Sequence, residues 1–440
     1  MSQMQPVDVA VITAAVASLR EPLVSALQEL VRTQSHTGNE GAVQAVVARL
    51  MRDQGLSVDV WEPSEEALEP YAEHVTLEGG FAGRPNVVGT CQGAGSGRSL
   101  ILNGHIDTVD AGDVTAWNAD PYSGAIQDGV LFGRGSCDMK AGVITNLFAL
   151  RALQAAGLTP GGKVIVESTI AEEDGGAGAL AAILRGYVAD ACIITEPTNL
   201  EIVVAHGGSL MFRLVVPGLS AHAATRDEGV SAIEKFSYLH AGLLAFEARR
   251  NAANRHPLYA HLSNKIPLNI GTVRAGAWAS TVPDLLIAEG RAGLAPGEDL
   301  ETFKGAFAAE VQAIADGDPW LREHPPRVEW LEGQFAPSEV AVGHDLVRTV
   351  AEAARAILPA APAVSGVTYG ADMRHFVNTG GMPCLMFGAG DVRLAHAPNE
   401  SIIVDDILQA TAVLALVIAG WCGATNAPGA PGNDPVSQTV

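Results

Sequence analysis

Leu23, Leu27 and Leu30, followed by Val43, Val46, Leu50 and Met51, recur at the three- to four-residue spacing of helices that bury one face. The spacing predicts two helices within residues 21–55, separated by a polar turn at residues 35–40. Downstream the pattern shortens to apolar runs bounded by Gly, Ser and Asn. Residues 86–90, 99–103, 163–170 and 191–195 read as strands. Helical patterns at residues 139–156 and 178–186 lie between them. Strands alternating with helices predict an α/β layer with a mixed, largely parallel sheet.

The order changes at residue 207. A strand at 209–216, a helix at 229–249, strands at 268–274 and 285–293, a helix at 300–315 and a strand at 327–331 spell β-α-β-β-α-β. That is a complete ferredoxin-like α+β unit. A helix at 344–357 then resumes the first pattern. Residues 207–333 are therefore expected as an insert in a discontinuous domain made of residues 1–206 and 334–440. The most apolar run, residues 407–421, is interrupted by Gln409 and Thr411 and falls short of the roughly 20 residues of a membrane span. It is expected as a buried C-terminal helix. The Ala-, Pro-, Gly- and Asn-rich residues after about 424 are expected to be disordered.

At 440 residues the chain exceeds one ordinary core, which agrees with two domains. Its 49 acidic against 27 basic side chains leave a formal charge of -22. That balance argues against nucleic acid, which needs a basic footprint, and against an anionic membrane surface. An anionic substrate would need local positive groups. The first residues lack the basic segment of a secretory signal. Five scattered cysteines without CxxC spacing fit free thiols, so a cytoplasmic location is expected.

The candidate chemistry sits where apolar strands end. His105 follows the run at 99–103, and Asp107 lies two residues on, on the same side of an extended segment. Asp107 is expected to accept a hydrogen bond from one ring nitrogen of His105 and leave the other free for a metal. Asp138 opens a helix after two glycines, a position that also suits an N-cap. Glu172 and Glu173 end another strand. Adjacent carboxylates in an apolar setting are costly to desolvate unless a cation lies beside them, and their divergent side chains suggest one ligand and one proton carrier. Glu196 ends a further strand, and His396 lies in a polar loop. Strand ends of one α/β layer converge on one site. Two histidines and several carboxylates without cysteine suit Zn²⁺, Co²⁺ or Mn²⁺.

The ordered segments GHIDTV (104–109), AWNADP (116–121), GRGSCDMKAG (133–142), AEEDGGAG (171–178), TEPTN (195–199) and HAPNE (396–400) resemble the M20 metallopeptidase/deacylase family. That family includes acetylornithine deacetylase, succinyl-diaminopimelate desuccinylase, aminoacylase-1 and glutamate carboxypeptidase. The resemblance runs from about residue 21 to 420. It implies two divalent metal ions, Zn²⁺ first, with Co²⁺ or Mn²⁺ as alternatives. By resemblance, His105 and Glu196 hold one ion, Glu173 and His396 the other, and Asp138 bridges them. Glu172 is then the general base, and Asp107 orients His105. The family pattern also implies a cis peptide between Asp138 and Met139.

The insert resembles the family's lid or dimerisation domain, which implies a homodimer. His222 matches a histidine that reaches the partner's site to polarise the scissile carbonyl. Asn269 matches a substrate-contacting asparagine. Arg291 and Arg374 are candidate carboxylate clamps, because guanidinium holds carboxylate bidentately. The chain departs from the family where Gly290 precedes Arg291, where Ala275 and Ser280 replace a glycine and an asparagine, and where Tyr369 sets an aromatic ring near the expected pocket.

The implied reaction is hydrolysis of a small N-acyl amino acid or N-acyl amine by metal-activated water. The nearest alternative is a dipeptidase or glutamate-type carboxypeptidase on the same scaffold. A non-catalytic metal-binding homologue is the remote alternative, disfavoured because the base and all five ligand positions are present. A serine hydrolase lacks its GxSxG elbow here.

Overall fold

The computed structural model of the protein describes residues 7–427. The strands Leu100–His105 and Val164–Thr169 are buried along their whole lengths. Strands covered on both faces carry apolar residues throughout rather than alternating ones. They pair in parallel, with Leu100 opposite Val164 and His105 opposite Thr169. Cys192–Ile194 adds in parallel on the other side of Leu100–His105, and Cys384–Met386 adds in parallel beyond it. These four strands form the centre of a nine-stranded mixed sheet. Antiparallel strands Asn86–Cys91 and Ser57–Trp61 extend one side. Ile202–His206 begins the other and takes Val364–Val367 in parallel. The expected α/β class is what the chain adopts. Because the central strands run the same way, their carboxyl ends deliver His105, Glu172, Glu173 and Glu196 to one edge.

Helix Ala141–Ala155 is buried on nearly every side. Val404–Cys422 packs against it, joined by Asp345–Ile357 and Val9–Ser18. Val404–Cys422 is long and apolar enough to cross a membrane by length and composition, yet Ile407, Leu414 and Trp421 lie inside the protein. Each such side chain contributes roughly 1.5–3 kcal/mol by leaving water. The N-terminal helix Val9–Ser18 was not expected from the sequence. Its residues are apolar on all sides, so no helical face stands out, and Asp8 caps it by accepting the Ala10 N–H at 2.9 Å.

Strand Ala424–Asn426 pairs antiparallel with Leu158–Pro160. Disorder therefore does not begin at 424 as expected, because the backbone there finds a ladder partner. The rest of that expectation falls on residues 428–440, which lie outside the described residues.

The second sheet is four-stranded, in the order Leu268–Ala275, Leu285–Leu294, Gly208–Pro217, Arg327–Trp330. All neighbours are antiparallel, which is the ferredoxin-like order. Helices Ala232–Ala253 and Leu300–Asp316 supply the other half of its core, and Ser231 and Asp299 cap them. Phe212 and Phe307 meet at that core with ring centroids 4.8 Å apart.

Candidate metal centre

His105 is the last residue of its strand and is almost wholly buried. Its Nδ1 lies 3.0 Å from the backbone carbonyl of Asp107 and 3.6 Å from the Asp107 carboxylate. The carbonyl rather than the carboxylate is thus the hydrogen-bond acceptor, which corrects the expectation from the sequence. A proton fixed on Nδ1 leaves the Nε2 lone pair free.

The Asp107 carboxylate has a different task. It accepts the backbone N–H of Glu172 and of Glu173, each at 3.2 Å, and the Thr37 hydroxyl at 3.0 Å. Burial alone would raise its pKa, but contact with His105 and these two N–H donors hold it below the usual range.

Asp138 lies between the two histidines. Its Oδ1 is 3.0 Å from His105 Nε2, and its Oδ2 is 3.5 Å from His396 Nε2. Glu196 Oε1 lies 3.9 Å from His105 Nε2, and Glu173 Oε2 lies 2.9 Å from His396 Nε2. The centre therefore has two halves, His105 with Glu196 and His396 with Glu173, which share Asp138. Ligand atoms of His105, Asp138 and Glu173 all fall within 4.8 Å of one another. The Asp138–Met139 peptide is cis. His396 has a φ of +58°, a region that few non-glycine residues occupy, and this turns its imidazole toward the carboxylates.

The electrostatics fit a cation. Among the described residues, no Lys or Arg forms an ion pair with Asp138, Glu172, Glu173 or Glu196. Burial, with Asp372 next, holds Glu172 well above its ordinary pKa. Burial, partly offset by His105, lifts Glu196 to about 8. Hydrogen bonds to Asp138 and Glu173 raise His396 to about 10. Carboxylates crowded out of water retain protons unless positive charge is supplied, and divalent ions on this N/O donor set supply it.

A cavity of about 310 Å³ opens onto the centre, lined by Glu172, Glu173, His396, Arg291, Tyr369 and Phe335 among others. That is the lower end of the range for small-molecule sites. A larger hollow of about 660 Å³, between Glu73 and Lys304, holds none of these groups. Arg291 Nη2 donates to the Thr368 carbonyl at 3.1 Å, and no carboxylate among the described residues pairs with it. Asn269 sits opposite Arg291 in the sheet register, so both side chains emerge on one face.

Two expected residues lie elsewhere. Arg374 is 2% exposed, stacks 3.6 Å from the Phe335 ring, and donates to the carbonyls of His74 and Gly175. It is not among the cavity-lining residues, because Phe335 covers it, and it braces the loop that carries Glu172 instead of clamping a ligand. His222 is exposed. Its Nδ1 accepts the Ala224 N–H at 3.1 Å, and it lines no part of this cavity.

Sequence reasoning passed over two supports. Glu400, fully buried, accepts Arg134 Nη1 at 2.7 Å and the N–H groups of Gly135, Cys137 and Asp138. Lys140, also buried, donates to the carbonyls of Leu30 and Thr33 at 2.9 Å each. Both lie inside motifs already noted, GRGSCDMKAG and HAPNE, and a charged residue in each Gly-rich or Pro-containing segment was the available signal.

The family model described as peptidase family M20/M25/M40 matches residues 101–420. The chain is 27% identical over 425 residues to N-formyl-4-amino-5-aminomethyl-2-methylpyrimidine deformylase of Bacillus subtilis (strain 168), covering 92% of this chain and 95% of that one. It is 28% identical over 416 residues to succinyl-diaminopimelate desuccinylase of Methylobacterium radiotolerans, covering 90% and 95%. In fold it resembles aminopeptidase PepT from Bacillus cereus ATCC 10987, with a TM-score of 0.68, 23% identity, and coverage of 91% and 98%.

Proposed function

The chain belongs to peptidase family M20/M25/M40, a family of metal-dependent hydrolases of amide bonds, and on that footing we propose that this member deacylates a small N-acyl amino acid or related N-acyl amine. The observation that carries the reading is Arg291. In a chain of net charge -22, a guanidinium with no carboxylate partner among the described residues lines the same small cavity as Glu172, Glu173 and His396. Such a group suits the carboxylate of an amino acid. The cavity volume suits a small acyl group.

His105 and Glu196 would hold one ion and His396 and Glu173 the other, with Asp138 facing both histidines. Two bound divalent ions, Zn²⁺ first and Co²⁺ or Mn²⁺ as alternatives, supply the water-activating and electrophilic chemistry of the site. Glu172 takes a proton from the attacking water and delivers it to the leaving nitrogen as the C–N bond breaks. Asp107 positions this base by holding the Glu172 and Glu173 backbone N–H groups.

Residues 207–333 form the lid, and a homodimer forms through it. What supports this is His222, which has no role at the cavity of its own chain and is free to reach a partner's. Light scattering on the purified chain tests the dimer. A cytoplasmic location is supported by five free cysteines and is tested by cell fractionation.

The deciding experiment is a panel of N-formyl, N-acetyl and N-succinyl amino acids run beside dipeptides on metal-reconstituted enzyme, read by free-amine release. The reading expects turnover of N-acyl amino acids. Turnover confined to dipeptides would replace it with a dipeptidase.

A further inference from the structure

Tyr369 follows strand Val364–Val367 and stands in the wall of the cavity that holds Glu172, Glu173 and His396. Its backbone is fixed from both sides. The Thr368 carbonyl accepts Arg291 Nη2 at 3.1 Å. Gly370 has no room for a side chain, because a Cβ there would meet the Phe335 ring at 2.5 Å. The phenol lies within electrostatic reach of Glu196, Asp138 and Glu172.

Two other tyrosines commit their hydroxyls inside the protein. Tyr187 donates to Asp59 at 2.7 Å and Tyr259 to the Val367 carbonyl at 2.6 Å. The Tyr369 hydroxyl has no such protein partner among the described residues, and it is not sealed in the interior. An ordinary phenol is neutral at pH 7, with a pKa of about 10, so it is a donor. The carboxylates around it are ligands or the base, and Arg291 is taken by the substrate's own carboxylate.

Resting on the deacylase reading, we propose that the Tyr369 hydroxyl donates a hydrogen bond to the oxygen of the scissile carbonyl as that carbon becomes tetrahedral, and that its ring bounds the acyl side of the cavity. A donor set in place before the reaction acts where charge develops and costs no rearrangement at that moment. The same ring leaves room for formyl or acetyl and excludes longer acyl groups.

The test compares wild type with Tyr369→Phe and Tyr369→Gly on the N-acyl and dipeptide panel. Metal content and calorimetric affinity for a phosphinic analogue of the tetrahedral intermediate are measured in parallel. Tyr369→Phe should lower kcat by about 10²–10³-fold, with KM within about twofold, metal content unchanged and the phosphinic analogue weakened to match. Tyr369→Gly should in addition shift kcat/KM toward N-succinyl over N-formyl substrates by about tenfold or more. A Phe variant within about threefold of wild type overturns the proposal. So does a loss of activity that tracks a loss of metal, which would make Tyr369 a positioning residue for Glu196. Should wild type cleave only dipeptides, the deacylase reading falls while the Tyr369 proposal is judged by the same ratios on dipeptides. Should wild type cleave neither, the phosphinic analogue alone decides it.

Discussion

Glu400 holds Asp138 through the backbone: its Oε1 accepts the Asp138 N–H at 3.0 Å and the Cys137 N–H at 2.9 Å, while Oε2 takes Gly135 N–H and Arg134 Nη1. The residue that faces both histidines is thus aimed by a carboxylate that touches neither. Groups of this kind set metal affinity without being ligands. Glu400→Gln keeps the shape but turns an amide N–H₂ toward donors. Metal affinity should fall about 10–100-fold, measured by calorimetric titration. Glu400→Ala should also lower the unfolding midpoint, since leaving Arg134 buried and unpaired costs about 3–5 kcal/mol. Unchanged affinity in both variants would show that Asp138 is held by other means.

Glu172 lines the cavity, and its N–H donates to the Asp107 carboxylate at 3.2 Å. As the base it should be separable from the ligands. Glu172→Ala is expected to lower kcat by at least about 10²–10⁴-fold while leaving metal content near wild type. Glu173→Ala should instead lose metal, because Glu173 faces His396 at 2.9 Å. Equal metal loss in the two would merge the roles that their diverging side chains suggest.

These roles were legible in the sequence to different depths. The strand-end positions of His105, Glu172, Glu173 and Glu196 followed from apolar runs, because a parallel sheet brings its carboxyl ends together. The β-α-β-β-α-β order of the small unit was equally plain. Strands Ser57–Trp61, Ile202–His206 and Cys384–Met386 were not read, because runs of three to five residues carry too little periodicity to separate from loops. The hydrogen bond from His105 to the Asp107 carbonyl was hidden because it depends on the local turn. The burial of Arg374 is not legible in its motif, because the ring it stacks on, Phe335, is distant in sequence.

Metal binding should release protons. In the metal-free chain Glu196 is lifted to about 8 and His396 to about 10. Both values lie above those of an unfolded chain, so the folded, metal-free form binds extra protons. Its stability from these groups is full below about 4.5 for Glu196 and about 6.5 for His396, and is lost as pH rises through 8 and 10. Metal ligands must be deprotonated, so metal affinity runs the opposite way and rises from pH 6 to 9. Titrations at pH 7 in buffers of differing ionisation enthalpy should report net proton release, because His105 and Glu173 are also held above their ordinary pKa. No buffer dependence would mean that the site is already deprotonated before metal arrives.

Arg291 has its guanidinium in the cavity with one bond to a backbone carbonyl. If it holds the substrate's carboxylate, Arg291→Ala should raise KM by about tenfold to a hundredfold with a smaller effect on kcat, the signature of lost uniform binding. Arg291→Lys should recover only part, because ammonium cannot hold a carboxylate bidentately. An N-acyl amine without a carboxylate should be indifferent to both variants. Equal losses on charged and uncharged substrates would assign Arg291 to the fold through its contact with Thr368.

Gly142 lets the Asp138 helix and the Glu196 strand meet. It sits in the first turn of Ala141–Ala155, and a Cβ there would lie 2.3 Å from the Thr195 carbonyl and 2.7 Å from Thr195 Oγ1. Helix propensity alone predicts that Gly142→Ala stabilises by about 1 kcal/mol. The clash is with a backbone oxygen, which cannot rotate away, so overpacking of about 1–3 kcal/mol should win. The helix would then back off the strand end and draw Asp138 away from Glu196. A lower melting midpoint and weaker metal binding should appear together. Gly305, in helix Leu300–Asp316, is the control: nothing lies within 4 Å of its added Cβ. Gly305→Ala should raise stability by about 0.4–1 kcal/mol and leave metal binding untouched. If both variants stabilise, the close approach at Gly142 is looser than the distances say, and the spacing of Asp138 and Glu196 does not depend on it.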